Sequence, residues 1–119
     1  MKDKDLEKRT FDFAVNVINF LKEIKNSKVN DVIRYQLAKA ATSVGANYEE
    51  AQGAFSKEDF KYKTSICLKE CKESNYWLRI IKETTECDKQ VLESLICESV
   101  ELKKIFGSIM KKINFREDV

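Results

Sequence analysis

The sequence SVGANYEEAQGAFSKEDF, at residues 43–60, interrupts a chain whose apolar residues otherwise follow a helical period. It holds two of the three glycines, Gly45 and Gly53, in a chain of 119 residues without proline. Gly53 stands where a helix-terminating glycine is expected, and Ser56 followed by Asp59 is an aspartate variant of the capping box. We therefore interpret the stretch as the end of one helix, a short turn and the start of the next.

Apolar and small residues on both sides of this turn recur at steps of three and four, the period of a helical face. The faces next to the turn comprise Ile33, Leu37, Ala40, Val44, Asn47 and Ala51, then Phe60, Thr64, Cys67, Cys71, Ser74, Leu78 and Ile81. The faces further out comprise Phe13, Val17, Phe20 and Ile24, and Leu92, Leu95, Ser99, Leu102, Phe106, Ile109 and Ile113. Together they predict four helices, at about 6–27, 30–53, 57–85 and 89–113.

The capping residues and the lengths of the connections determine the predicted fold. Asn30 is a good N-cap for the second helix and Asp88 for the fourth, while residues 114–119 are expected to fray. The connections are short, and short connections favour antiparallel neighbours. We predict a single all-α domain over residues 1–119, an antiparallel up-down-up-down four-helix bundle with helices crossing at about 20°.

Within the opening stretch, Gly45 and Ala46 keep the second helix thin, so that another helix can pack closely. Asn47 and Glu50 lie one turn apart and can bond to each other or to the adjoining helix. Because unpaired buried polar groups are costly, we predict that one of their partners lies on the third helix or on a neighbouring subunit.

Composition restricts the class of protein. The formal net charge is only +2, and no apolar run approaches the roughly 18 residues that a membrane span needs. The four cysteines form no C-x-x-C pair and the charged N-terminus lacks an apolar signal core, so we expect reduced thiols and a cytoplasmic protein.

The sequence gives little support for a catalytic site or a metal site. The chain has no histidine, which removes the commonest general base and the Glu-x-x-His motif of di-iron bundles. An all-carboxylate site using Glu50, Glu70 and Glu73 is the remaining alternative. Cys67 and Cys71 could bind a soft metal, but their place in an apolar seam favours packing. We expect no enzymatic activity and no cofactor.

The end of the fourth helix is basic. No acid occurs between residues 103 and 116, and the cations there are Lys103, Lys104, Lys111, Lys112 and Arg116. They are explained either by complementarity to the helix macrodipole or as a surface for nucleic acid or another partner. Aromatic residues that could stack on bases, or could pack in the bundle, are Tyr35, Tyr48, Phe55, Phe60, Tyr62, Tyr76 and Trp77.

A second stripe on the middle helices predicts self-association, because a lone four-helix bundle buries one stripe per helix. Its large residues are Tyr48, Trp77 and Ile80.

A mid-chain motif comprises Gln36, Leu37, Ala40, Ala41, Ser43, Val44, Asn47, Glu50 and Gly53, followed by Ser56, Asp59 and Phe60. This motif resembles the bacterial four-helix-bundle family encoded by intervening sequences within 23S rRNA genes, often labelled S23 ribosomal protein. A later stretch that also resembles the family contains Lys69, Glu70, Glu73, Tyr76, Trp77 and Leu78. The resemblance covers about residues 10–113.

The resemblance implies a homopentameric ring without enzymatic activity. Together with the helical faces, the second stripe and the basic end of the fourth helix, it leads us to expect a non-enzymatic oligomeric adaptor that binds RNA or a protein partner. A related protein is the accessory variability determinant of diversity-generating retroelements, which binds reverse transcriptase and nucleic acid through a strongly basic surface. That role is the alternative, and the near-neutral charge of this chain departs from it.

Overall fold

The computed structural model describes residues 3–118, which form four helices and no strand. The helices are α1 (Asp3–Lys22), α2 (Lys28–Gln52), α3 (Lys57–Thr84) and α4 (Lys89–Asp118). They pack into an elongated bundle of 50 × 23 × 20 Å. The predicted all-α class and the number of helices are confirmed.

The predicted helical faces supply the core. All four members of the α1 face are buried, and so are all of the α2 face except the half-buried Asn47. On α3 only Phe60 is half-buried, and on α4 only Ile109 and Ile113. Since regular burial at steps of three and four stabilises each helix against its neighbours, the bundle follows directly from the sequence period.

The turn at residues 53–56 has the predicted caps. The Ser56 hydroxyl accepts a hydrogen bond of 3.0 Å from the Asp59 N–H, and Gly53 follows the last residue of α2. At the start of α4, the Asp88 carboxylate accepts from the Val91 N–H at 3.2 Å. These contacts pair backbone donors that a helix N-terminus leaves without partners.

The first connection differs from the prediction. Helix α1 ends at Lys22, and Ser27, not Asn30, is the N-cap of α2, accepting from the Asn30 N–H at 3.0 Å. The Asn30 amide instead donates to the Lys25 carbonyl at 2.9 Å. Arg34 donates to the carbonyls of Leu21, Ile24 and Lys25, and these bonds from α2 hold the connecting segment outside the helix.

The end of α4 also differs, because the helix continues through Asp118 where fraying was expected. The Lys61 ammonium lies 2.6 Å from the Glu117 carboxylate, which joins the last turn of α4 to the first turns of α3. Residue 119, the end of the segment expected to fray, lies outside the described residues.

Candidate nucleic-acid interface

Four of the five predicted cations near the end of α4 are exposed. Lys104, Lys111, Lys112 and Arg116 face solvent, whereas Lys103 is half-buried. The carboxylate of Glu101 lies 3.6 Å from the Lys104 ammonium, a loose and exposed ion pair. Exposed pairs of this kind are worth little, so Lys104 can still offer its charge to a ligand.

An aromatic ring lies on the same face as these cations. A helix turns about 100° per residue, so positions seven and eleven residues apart return to nearly the same direction. Lys104, Lys111 and Phe115 have these spacings, and the Phe115 side chain is 69% exposed. The end of α4 therefore presents positive charge and an aromatic ring together.

This end of the bundle holds a pocket of about 450 Å³. It lies between the α2–α3 turn and the last turns of α4. Its lining residues are Ala54, Phe55, Ser56, Lys57, Phe60, Ile113, Arg116 and Glu117.

The lining combines apolar and cationic groups. Phe55 is fully exposed, and Phe60 and Ile113 are half-buried. Glu117 is the one acid among the lining residues of this pocket, and its carboxylate is engaged by Lys61 at 2.6 Å. The cations that line the same pocket are Lys57 and Arg116. We call this group of residues the turn pocket.

The motif residues of α2 bond partly within their own helix and partly to α3. The Ser43 hydroxyl donates to the Lys39 carbonyl at 2.7 Å, and the Asn47 amide donates to the Ser43 carbonyl at 2.8 Å, both within α2. The Glu50 carboxylate accepts from the Lys63 ammonium of α3 at 2.6 Å. This hydrogen bond raises the pKa of Lys63. A partner on the third helix is thus confirmed for Glu50, while the amide of Asn47 bonds within its own helix.

The second stripe of the middle helices is smaller than predicted. Tyr48 is only 3% exposed and packs edge-on against Phe106 at 5.7 Å between ring centres, so it belongs to the core. Trp77 and Ile80 are half-buried. The Trp77 indole donates to the Glu73 carboxylate at 3.3 Å. The expectation of self-association therefore depends on Trp77 and Ile80 alone.

The carboxylates considered for metal binding have other surroundings. Glu50 pairs with Lys63, and Glu73 accepts from Trp77. Burial, followed by the charge of Glu73, raises the pKa of Glu70. Among the residues whose placement is described, no three His, Cys, Asp or Glu side chains form a group that could hold a metal ion.

Two of the cysteines are core residues. Cys67 and Cys71 are fully buried, and the Cys67 thiol donates to the Val44 carbonyl of α2 at 3.4 Å. Burial raises the pKa of Cys67 to about 12 and raises that of Cys71 as well. Both are therefore neutral thiols at physiological pH.

The sequence singled out Phe55 and Phe60, but it did not group them with Lys57 and Ile113, which line the same pocket, and it did not single out Phe115. Phe115 does carry a signal, because it falls outside the apolar α4 face and between two cations. The pocket itself needs the three-dimensional contact of α4 with the α2–α3 turn, which no spacing in the sequence specifies.

Fold and site together define an all-α, four-helix protein with a basic and aromatic bundle end. The chain belongs to the family of 23S rRNA-intervening sequence proteins, whose model matches residues 2–108. It is similar to a crystal structure of a protein of unknown function from the S23 ribosomal protein family of Bacteroides thetaiotaomicron. That match has a TM-score of 0.83 and 36% identity, and covers 93% of this chain and 99% of the other. No curated protein matches the chain. Within the described residues, no helix is long and apolar enough to cross a membrane.

Proposed function

We propose that this protein is a non-enzymatic, oligomeric adaptor that binds RNA through the basic end of α4. The observation that carries the proposal is the exposed set Lys104, Lys111, Lys112 and Arg116, with no acid between residues 103 and 116. A helix needs cations only in its last turn to complement its macrodipole. Lys104 lies almost four turns before the end of α4, so the dipole does not account for it.

The proposed architecture is an antiparallel, single-domain bundle that assembles as a homopentamer in the cytoplasm. Two ion pairs support antiparallel α3 and α4: Lys61 with Glu117 at one end, and Lys82 with Glu93 at 2.9 Å at the other. The half-buried Trp77 and Ile80 support self-association. In a ring, the basic ends of several copies would lie together and strengthen attraction to a polyanion.

A salt-dependent RNA-binding measurement tests the proposal. We expect the logarithm of the binding constant to fall linearly with the logarithm of salt concentration, by about 0.7 for each single-strand phosphate contacted. The variant Lys104→Glu/Lys111→Glu should bind more weakly and with a shallower slope. The matched control is Lys25→Glu/Lys28→Glu, which makes the same change in net charge at two exposed positions, one in the α1–α2 connection and one at the first residue of α2.

Two results would count against RNA binding. One is equal loss of affinity in both variants, because that would indicate only net charge. The other is binding no tighter than that of a charge-matched unrelated protein, which would leave a protein partner as the adaptor's ligand. Light scattering tests assembly, since a particle of 13.9 kDa at micromolar concentration would contradict the pentamer.

The retroelement alternative gains no support from the structure. It requires a strongly basic surface, whereas the net charge here is only +2. The presence of a reverse-transcriptase gene and a repeated template region beside this gene would favour it.

A further inference from the structure

We infer that the turn pocket binds an unstacked nucleobase, so that the ligand of this protein is single-stranded RNA rather than duplex. The inference rests on the proposed RNA-binding function and specifies its ligand. It starts from Phe55, whose ring is fully exposed in the turn between α2 and α3. Phe55 lies outside the hydrophobic core cluster, so the fold does not explain the ring.

The neighbours of Phe55 provide a suitable site for a flat ring. The pocket of about 450 Å³ has Phe60 and Ile113 among its walls, both half-buried and apolar. A base placed there could stack on Phe55 and remove apolar surface from water. Stacking of a base on an aromatic side chain is worth about 1–3 kcal/mol and tolerates any base, because every base has a π-face.

Cationic side chains extend from the exposed face of α4 to the same pocket. Arg116 lines the pocket and follows Lys112 by four residues, one helical turn. Lys57 also lines the pocket, while Glu117 is engaged by Lys61. From Lys104 to Arg116 the cations extend over about 18 Å of helix, which suits the evenly spaced charges of a phosphate backbone.

Duplex RNA does not satisfy this arrangement. Its bases are stacked on one another, and proteins read it mainly through its shape, its 2′-hydroxyls and its phosphates. Access to Phe55 requires a base that is already unstacked, as in a loop, a bulge or a free end. The cations alone would accept either form, so the pocket is the element that discriminates between them.

The test uses the full-length protein and fluorescence anisotropy with a labelled 12-nucleotide oligouridylate and an RNA duplex of equal length. We expect tighter binding of the single strand. Phe55→Ala should weaken that binding by roughly tenfold or more, leave duplex binding unchanged and leave the salt slope unchanged. Phe55→Trp should restore the affinity. The control is Tyr35→Ala, which removes another exposed aromatic about 25 Å away along α2.

The outcomes separate the two proposals. No RNA binding by the wild-type protein overturns both. RNA binding with equal affinity for the two probes, or with Phe55→Ala no weaker than Tyr35→Ala, overturns the nucleobase site alone. A competition experiment gives a further outcome. If a polyglutamate peptide containing phenylalanine displaces the labelled strand at a lower concentration than unlabelled oligouridylate does, the pocket favours an acidic peptide and the nucleobase site is overturned. Because Phe55 is fully exposed, its variants should retain the wild-type thermal melt, which circular dichroism verifies.

Discussion

The Thr10 hydroxyl of α1 lies 3.2 Å from the position that a Cβ on Gly45 of α2 would occupy, so the two helices approach closely at this point. Thr10 is fully buried and donates to the Leu6 and Glu7 carbonyls at 2.9 and 3.1 Å. Its side chain cannot move away without losing these contacts. Gly45 therefore has the packing role predicted from the sequence, and the helix that approaches it is α1.

Gly45→Ala should destabilise the fold by about 1 kcal/mol. Alanine gains about 1 kcal/mol in helix propensity, but overpacking a filled interface costs about 1–3 kcal/mol. The control is Gly107→Ala in α4, where a Cβ would meet no atom within 4 Å and should stabilise by about 1 kcal/mol. Chemical denaturation measures both. Equal stabilisation by the two substitutions would contradict this explanation, because it would mean that the Thr10 side chain moves aside. If Thr10 keeps its position, the double variant Thr10→Ala/Gly45→Ala should recover the stability that Gly45→Ala loses.

Ser74→Ala should stabilise the protein by about 1 kcal/mol. Ser74 is fully buried in α3, and its hydroxyl is the buried side-chain oxygen that has no hydrogen-bond partner within the described part of the chain. Removing such a group removes a desolvation penalty. Ser99→Ala is the matched control, because the Ser99 hydroxyl accepts from the Asn75 amide at 3.0 Å and donates to the Ile96 carbonyl. That variant should lose stability, and a gain there as large as for Ser74 would contradict the explanation.

The pair Glu50–Lys63 should contribute only a weak coupling to stability. The two charged groups lie 2.6 Å apart across the α2–α3 seam, but the Glu50 side chain is 58% exposed, so solvent screens them. A double-mutant cycle with Glu50→Gln and Lys63→Met measures the coupling, and 1 M salt should reduce it. A strong coupling that salt leaves unchanged would indicate that the pair is covered by another copy of the chain.

Asn47→Ala, which removes a bond within α2, should change the free energy of unfolding by less than about 0.5 kcal/mol. Chemical denaturation measures the change.

The sequence was informative at most positions where a local rule determines the structure, and the missed Ser27 cap of α2 is the exception. The three-four period identified the buried faces, and Ser56, Gly53 and Asp88 marked helix ends through contacts with residues three or fewer positions away. Long-range contacts caused the errors. Arg34 draws residues after Lys22 into a connection, and Phe106 of α4 buries Tyr48. The turn pocket has the same origin, because it forms only where α4 reaches the α2–α3 turn.

The buried thiols predict a specific loss of stability at alkaline pH. The ordinary cysteine pKa is 9.0, whereas burial raises that of Cys67 to about 12 and also raises that of Cys71. In the folded protein both thiols keep their protons, but in the unfolded chain they ionise above about pH 9. The unfolded state then binds fewer protons, so the free energy of unfolding decreases as pH rises from about 9 towards 12. Each thiol contributes about 1.4 kcal/mol per pH unit within this range.

Urea unfolding at pH 8, 9 and 10 measures this effect. Between pH 8 and pH 10, the free energy of unfolding should decrease by about 3 kcal/mol more for the wild-type protein than for Cys67→Ala/Cys71→Ala. Each protein is compared with its own value at pH 8, because the double variant is less stable at that pH. Lysine and tyrosine titration is common to both proteins and cancels in the comparison. Cys97→Ala is the control for removal of a thiol outside the core, because Cys97 is exposed. Parallel pH profiles for wild type and the double variant would mean that the two thiols are not protected by the fold.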